Sequence, residues 1–391
     1  QPPWEFWIDV GGTFTDCFAR RPDGTLVRHK LLSSGATKGA AAEGSTAARI
    51  ADPMRRRDPA GFWTGYTLHL LDAAGQVAAT SRVKAFEVSS GELVLESPLA
   101  EAPRAGQGYE LRSEEGSPLV AIRYLLGLKL TDAIEGVVVK LGTTRGTNAL
   151  ITRRGAKTAF VTTAGFADVL RIGYQNRPRL FDLAIRKPVP LFAETMEVQE
   201  RLSVDGTVLT PVDVEGVRAG LAALKQQGIE SLAICLLHAF EFPEHEQQVE
   251  AIARELGFEE ISVSHRVARL IKIVARGDTT VMDAYLNPIL RAYVSSLRQA
   301  LGKSRLKIMT SAGGLLEAEH FVGKDSILSG PAGGVVGFSR AAEAAGFSTP
   351  GRRCRAWEPA TKPPSAGMKN GTKLSCFVGP PTASQGIQTL Y

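Results

Sequence analysis

The stretch Phe6-Trp7-Ile8-Asp9-Val10-Gly11-Gly12-Thr13-Phe14-Thr15-Asp16-Cys17-Phe18 decides the fold. It reads as a strand, a tight turn and a second strand. Phe6, Ile8 and Val10 alternate with other residues before the turn, as do Phe14 and Phe18 beyond it. Gly11-Gly12 lets the backbone turn and approach a ligand with no Cβ in the way. Thr13 and Thr15 bring hydroxyl and N–H donors to the turn, and Asp9 and Asp16 flank it with carboxylates. Such donors hold phosphate oxygens and such acids hold a metal's water shell, so the pattern suits a Mg-bound polyphosphate. Gly-Gly alone fits any hairpin. The whole Asp-x-Gly-Gly-Thr-x-Thr-Asp string at a strand pair is far more specific.

Outward from this stretch, 391 residues are enough for two or three domains. With 44% hydrophobic and 22% charged residues, the composition is that of a globular protein. Cys17, Cys235, Cys354 and Cys376 lie far apart, with neither metal-ligand spacing nor a disulfide framework. That usage fits a reducing compartment, and a cytoplasmic location is expected. No apolar run approaches the ~20 residues of a membrane span. The first residues lack the basic-then-apolar order of a secretory signal. The net charge is +6. Residues 350–391 hold six basic side chains against Glu358 alone, a net +5 that leaves +1 for the rest. The charge pattern therefore argues against a nucleic-acid groove.

Thr25 to Leu32 reads as a third strand, and the Ala-rich Thr37 to Ile50 as a helix. Asp52-Pro-Met-Arg-Arg-Arg-Asp-Pro59 breaks the pattern. From Gly61 to Arg112 the texture is β, with short strands at Tyr66–Leu71, Gln76–Ser81, Val83–Val88, Glu92–Glu96 and Tyr109–Arg112. Residues 51–117 are expected to form a small all-β insert that decorates the surface. Pro118 to Leu128 starts a helix. Gly136 to Leu141 is a buried strand that runs into Gly142-Thr143-Thr144-Arg145-Gly146-Thr147-Asn148 and a helix start, a natural anion site. Thr158–Thr163 is another strand. The loop from Arg171 to Asp182 carries Arg171, Tyr174, Asn176, Arg177 and Arg179. It fits a carboxylate or cyclic-amide site and a solvated bridge equally well.

Val214–Gln227 is an amphipathic helix, Ser231–Leu237 a buried strand and Ile261–Val263 a further strand. His238 and His245 with Glu241, Glu244 and Glu246 fit no standard metal spacing, and Pro243-Glu-His-Glu reads instead as a helix start. Asp278–Leu301 is a long helix with one apolar face, and Asn287-Pro288 is a candidate kink. Leu306–Met309 is a strand that ends in Ser311-Ala-Gly-Gly314. Ser329-Gly-Pro-Ala-Gly-Gly334 opens a helix rich in small residues.

The opening string Asp9-Val-Gly-Gly-Thr-Phe-Thr-Asp16 resembles the first phosphate loop of the hydantoinase A/5-oxoprolinase family, within the actin-like ATPase superfamily. The resemblance continues through Lys140–Leu150, Gly165–Gly173, Arg276–Pro288, Met309–Gly314 and Leu328–Val336, in the family's order. It implies an α/β fold of actin-like (ribonuclease H-like) lobes and covers roughly residues 5–50 and 119–349; the all-β insert lies outside it. It also implies ATP and Mg²⁺ as cofactors, Asp9 and Asp16 as the catalytic, metal-holding carboxylates (through water), and Gly11, Gly12, Thr13 and Thr15 as the phosphate cradle. Gly142, Thr143, Thr144, Asn148, Gly313, Gly314, Gly330, Gly333 and Gly334 are expected to complete the nucleotide site. Arg171, Tyr174, Arg177 and Arg179 are candidates for substrate.

The implied activity is ATP-dependent opening of a five-membered cyclic amide, with 5-oxoproline to glutamate leading and a place in glutathione metabolism. The rivals are a ketone-carboxylase subunit of the same family and a non-catalytic fragment with an interaction surface. A B-type subunit or fused domain is the expected partner, with homo-oligomers when the enzyme is complete. The expected division is residues 1–50, the insert 51–117, the remaining α/β region 118–349 and a tail, 350–391. In the family a second phosphate loop follows near Pro350. Here Gly351–Tyr391 is Pro-rich and without period, so the fold is expected to be incomplete at the C-terminus, with a disordered, non-family tail such as a frame or splice change produces.

Overall fold

The computed structural model describes residues 2–174, 181, 184 and 187–344. The chain opens with β1 (Trp4–Val10), β2 (Phe14–Arg20) and β3 (Leu26–Leu32). Next come β4 (Thr37–Ala40), β5 (Arg49–Ala51), β6 (Thr67–Leu71), β7 (Val77–Glu87), β8 (Glu92–Leu95) and β9 (Gly108–Arg112). Helix α1 (Ser117–Leu126), β10 (Val137–Thr143), α2 (Arg145–Ile151), β11 (Thr158–Thr163) and α3 (Val169–Ile172) follow. Then come β12 (Glu194–Val198), β13 (Arg201–Leu202), β14 (Val208–Thr210), α4 (Val214–Gln226), β15 (Ser231–Cys235) and α5 (Glu244–Glu255). The rest is β16 (Glu260–Val263), α6 (Ser264–Val267), α7 (Ile273–Leu301), β17 (Arg305–Met309), β18 (Leu315–Glu317) and α8 (Ser329–Ala344).

These elements form two compact units, one of residues 1–145, 294–309 and 314–321, the other of 146–293, 310–313 and 322 onward. The expected region 118–349 is thus shared between both units. The fold is mixed α/β, with sheets and helices compatible with actin-like lobes.

In the first unit a six-stranded sheet runs β18-β17-β10-β1-β2-β3. β1 pairs parallel with β10 and antiparallel with β2. Phe6, Ile8 and Val10 of β1 face the core with Val139 and Leu141 of β10 and Leu119 and Ile122 of α1. On β2 the buried residues are Thr15, Cys17 and Ala19, while Phe14 and Phe18 are 47% and 51% exposed. The two phenylalanines therefore lie on the outer face that also carries Asp16. Burial pushes the Cys17 thiol up to about 12, which makes it an inert core residue.

The second sheet of this unit has the order β4-β9-β6-β7-β8-β5, and the Ala42 N–H donates to the Ala51 carbonyl at 2.7 Å, joining its two ends. Its core holds Ile50, Phe62, Trp63, Tyr66, Leu68, Leu93 and Leu111. Two expectations are corrected here. Thr37–Ile50 is not a helix but contributes β4 and β5, so this β-barrel begins at Thr37, ahead of residue 51. The cause is tertiary: Gly39 lies where an added Cβ would meet the Tyr109 ring at 2.3 Å, and that pairing with β9 overrides the helical preference of the alanines. The two short strands expected at 76–81 and 83–88 are one strand, β7, with a register shift against β8 between Val83 and Ala85.

In the second unit, β12-β11-β15-β16 form a parallel sheet. Ala159, Val161, Leu232 and Ile234 pack on one side with Leu221 and Val249. Phe160, Ala233 and Cys235 pack on the other with Val281 and Ala284 of α7. Helix α7 starts at Ile273, earlier than expected, and runs through Pro288. The motif from Gly351 onward, with the expected tail, lies outside the described residues. Among the described residues no helix is long and apolar enough to cross a membrane.

Candidate functional site

The turn between β1 and β2 is closed by three hydrogen bonds. The Gly11 N–H donates to the Phe14 carbonyl at 3.0 Å, and the Ser33 N–H to the Thr13 carbonyl at 2.9 Å. The Ser33 hydroxyl donates to the Gly11 carbonyl at 2.8 Å. Gly11 is required by contact, since an added Cβ would stand 2.9 Å from the Phe14 carbonyl oxygen. Gly12 and Thr13 form the exposed tip, and their N–H groups have no acceptor among the described residues.

Asp9 and Asp16 are directly opposed across β1 and β2, and Gly142 of β10 is opposite Asp9 on its other side. A Cβ on Gly142 would lie 3.4 Å from Asp9 Oδ1, so glycine leaves room for that carboxylate. Lys30 of β3 neutralises Asp16 through contacts of 2.9 and 3.0 Å. Loss of solvent first, and the neighbouring Asp16 charge second, raise the Asp9 carboxyl above the usual range even though the residue is exposed by area. A raised carboxylate beside a second acid is a site that gains from a cation.

Thr144 joins this cluster from the link just after β10, its N–H and hydroxyl both donating to the Val10 carbonyl at 3.0 and 3.1 Å. Thr143 is buried, and its hydroxyl accepts from the Arg145 N–H at 3.2 Å, which orders the start of α2. Thr15 departs from expectation in its side chain. It is fully buried, with its hydroxyl bonded to Ser33 Oγ at 3.0 Å and Ser117 Oγ at 2.7 Å, so that hydroxyl faces away from the turn's open side. Strand parity carried this signal, since Thr15 shares a face with Cys17 and Ala19. Sequence reading missed Ser33, Ser117 and Lys30. Their contacts join residues from 14 to 102 positions apart, and no local pattern encodes them.

The first unit thus brings together Asp9, Gly11, Gly12, Thr13, Asp16, Gly142 and Thr144. Gly314 belongs to the same unit, ahead of β18, and Asn148, Gly313, Gly330, Gly333 and Gly334 belong to the second. In that unit Gly146 of α2 lies against Ser326, and the Thr147 hydroxyl bonds the Ile327 carbonyl just before α8. Gly313, at φ +80°, lies against Val336 of α8, two residues beyond Gly334. Asp283 and Asn287 of α7 accept the Lys324 and Gly323 N–H groups at 2.9 and 2.6 Å, which fixes the segment leading into α8.

Of the candidate substrate residues, Arg171 stacks over Phe192 at 5.9 Å and Tyr174 is 47% exposed. Arg177 and Arg179 lie outside the described residues. His245 donates or accepts at Glu200 (2.6 Å) and His265 at Glu246 (2.7 Å). Among the described residues no group of three or more His, Cys, Asp or Glu could hold a metal. The two-carboxylate turn remains compatible with Mg²⁺, which is commonly held by one or two carboxylates together with phosphates and water.

The chain matches the Hydantoinase/oxoprolinase N-terminal region over residues 5–56 and 101–257, and the Hydantoinase/oxoprolinase family over 276–349. It is 36% identical over 282 residues to 5-oxoprolinase 1 of Arabidopsis thaliana, covering 62% of this chain and 22% of that one. It shares the fold of acetone carboxylase in its nucleotide-free structure (TM-score 0.58, 19% identity, 88% of this chain and 41% of that one). It also shares that of the ATP-dependent caprolactamase of Pseudomonas jessenii (TM-score 0.56, 21% identity, 88% and 41%). The chain spans about a fifth of the length of the curated relatives it matches first, 22% and 18%.

Proposed function

The chain belongs to the hydantoinase/oxoprolinase family, and from that premise we propose that it is the ATP-using region of an enzyme that opens a five-membered cyclic amide, 5-oxoproline to glutamate. One observation carries the reading: Asp9 and Asp16 stand opposed beside a turn whose tip N–H groups are free among the described residues. In this reading the N–H groups of Gly12 and Thr13 receive phosphate oxygens, and Gly142 keeps the space over Asp9 clear. Asp9 and Asp16 would hold Mg²⁺ through its water shell, and the ion when bound would offset phosphate charge. Lys30 holds Asp16 in place through its two contacts.

The chemistry follows from the amide. A lactam resists water because its carbonyl is resonance-stabilised. Transfer of the γ-phosphoryl group of ATP to the amide oxygen releases ADP and makes that oxygen a leaving group. Water then adds to the carbon, the ring C–N bond breaks as the nitrogen takes up a proton, and a second water hydrolyses the resulting acyl phosphate to the carboxylate and free phosphate. The turn contributes position and electrostatics rather than covalent chemistry. Arg171 and Tyr174, with Arg177 and Arg179, are the proposed contacts to the substrate carboxylate and ring. Asn148, Thr143, Gly313, Gly314 and the α8 glycines are the proposed remainder of the nucleotide site. A B-type subunit or fused domain supplies the hydrolytic half.

The test is ATP hydrolysis by the family-length protein with its B-type partner. Stimulation by 5-oxoproline above that by hydantoin or acetone supports the reading. Stimulation by a ketone with bicarbonate would assign it to the carboxylases instead. A response to none of these would remove both activities and leave a binding role.

A further inference from the structure

The geometry assigns Ser33 and Ser117 as positioning residues that hold the Gly11–Thr13 turn through a relay of three hydroxyls. Their role rests on the reading of that turn as the phosphate loop. The relay is Ser117 Oγ to Thr15 Oγ1 at 2.7 Å, Thr15 Oγ1 to Ser33 Oγ at 3.0 Å, and Ser33 Oγ to the Gly11 carbonyl at 2.8 Å. Each hydroxyl has one proton to give. The Gly11 carbonyl can only accept, so Ser33 gives its proton there. Thr15 must then donate to Ser33, and Ser117 to Thr15. One direction satisfies every member, and such aligned chains strengthen each bond in turn. Thr15 and Ser117 are buried, so water cannot readily replace the lost partner.

The position of the two serines in the chain gives the relay its second meaning. Ser33 follows β3 just before the chain leaves for the barrel, whose first strand starts at Thr37. Ser117 is the first residue of α1, just after the chain returns from Arg112 at the end of β9. The outgoing and returning segments touch: Gly35, at φ +74°, would place a Cβ 3.1 Å from the Glu115 carbonyl and 3.6 Å from the Ser117 nitrogen. Arg123 of α1 clamps Glu115 through contacts of 2.7 and 2.9 Å. Both connections of the barrel are thereby tied to the same threonine under the turn. A load on the barrel that shifts either connection reaches the backbone of Gly11 and Thr13.

The test is amide hydrogen exchange on the 391-residue chain without nucleotide, read at Gly11 and Ser33, whose N–H groups close the turn. Ser33→Ala, Ser117→Ala and Thr15→Val should each speed these amides by about fivefold, the loss of roughly one hydrogen bond. Val139 and Leu141 of β10 should keep their rates. Thr15→Ser, which keeps the hydroxyl and loses the methyl, should exchange like the parent. Thr15→Val fills the same space without a hydroxyl, so the contrast between Val and Ser separates positioning from packing. Unchanged rates at Gly11 and Ser33 in all three hydroxyl-deleted variants would overturn the assignment, as would equal acceleration throughout β10. If Ser33→Ala does not fold, Ser117→Ala and Thr15→Val probe the same relay from farther along it, and unchanged rates in both overturn the assignment. No nucleotide enters this measurement, so it stands apart from the ATP-hydrolysis test.

Discussion

Asp9, a proposed metal-side carboxylate, weakens local stability at neutral pH. Partial loss of solvent and the facing Asp16 raise its carboxyl, so the folded turn takes up a proton more readily than the unfolded chain does. Stability from this residue is therefore greatest at low pH and falls as pH rises past the ordinary carboxylate range. Asp9→Asn should raise the melting temperature of the 391-residue chain at pH 7 by about 1 °C, the scale of an exposed charge pair. A calorimetric scan checks the sign. Asp278 of α7 presents the same physics without an assigned role. It is partly buried, has no hydrogen-bond or ionic partner among the described residues, and burial alone lifts its carboxyl to about 6. The unfolded chain releases this proton first, so stability falls between about pH 4 and 6. Asp278→Asn should abolish that fall and stabilise the chain at pH 7 by about 1–3 kcal/mol, measured by denaturant unfolding at both pH values.

The elements differ in how openly the sequence announces them. The opening strand-turn-strand is legible because its alternation and its glycines are local. Its faces are only half legible: the phenylalanines draw attention, yet Thr15, Cys17 and Ala19 form the buried side of β2. Thr37–Ile50 reads as a helix because alanines favour one in isolation, while the strand there is set by Tyr109 and Gln107, far along the chain.

The barrel also hides a polar centre that no local pattern displays. Tyr109 donates to Asp52 at 2.5 Å and accepts from Arg55 Nε at 3.1 Å. Arg55 also pairs with Asp58, which in turn accepts from Trp63 and from Tyr124 of α1. Burial pushes the Tyr124 phenol up to about 12, and the phenol donates to Asp58 at 2.9 Å. Tyr109→Phe should destabilise the chain by about 2 kcal/mol, since it removes one hydrogen-bond partner from each of two buried charged groups, Asp52 and Arg55, at once. Urea unfolding followed by tryptophan fluorescence reports it, because Trp63 donates to Asp58 within this cluster at 2.7 Å.

At the scale of the whole molecule, the family assignment and the α/β fold are readable from motifs in fixed order, whereas the division into two units is not. The chain crosses between units after Arg145, within α7, and again after Met309, Gly313 and Phe321, where no change of composition marks it. A second Asp-x-Gly-Gly-Thr string does not occur among the 391 residues. Phosphoryl transfer depends on positioning, and the loss of even one well-placed donor costs ~10²–10³ in rate. The 391-residue chain by itself should therefore show no phosphate release coupled to 5-oxoproline. Coupled turnover by this chain alone would mean that its own residues complete the nucleotide site.

In the proposed function, the Gly11–Thr13 turn with Asp9 and Asp16 holds the phosphates and metal of ATP. The most direct measurement is steady-state ATP turnover with 5-oxoproline in the family-length protein, comparing parent and Asp9→Asn, with melting temperatures recorded for both. If the turn holds phosphate and metal, turnover should fall by at least about 10²-fold with no loss of thermal stability. Equal turnover in the two proteins would contradict it.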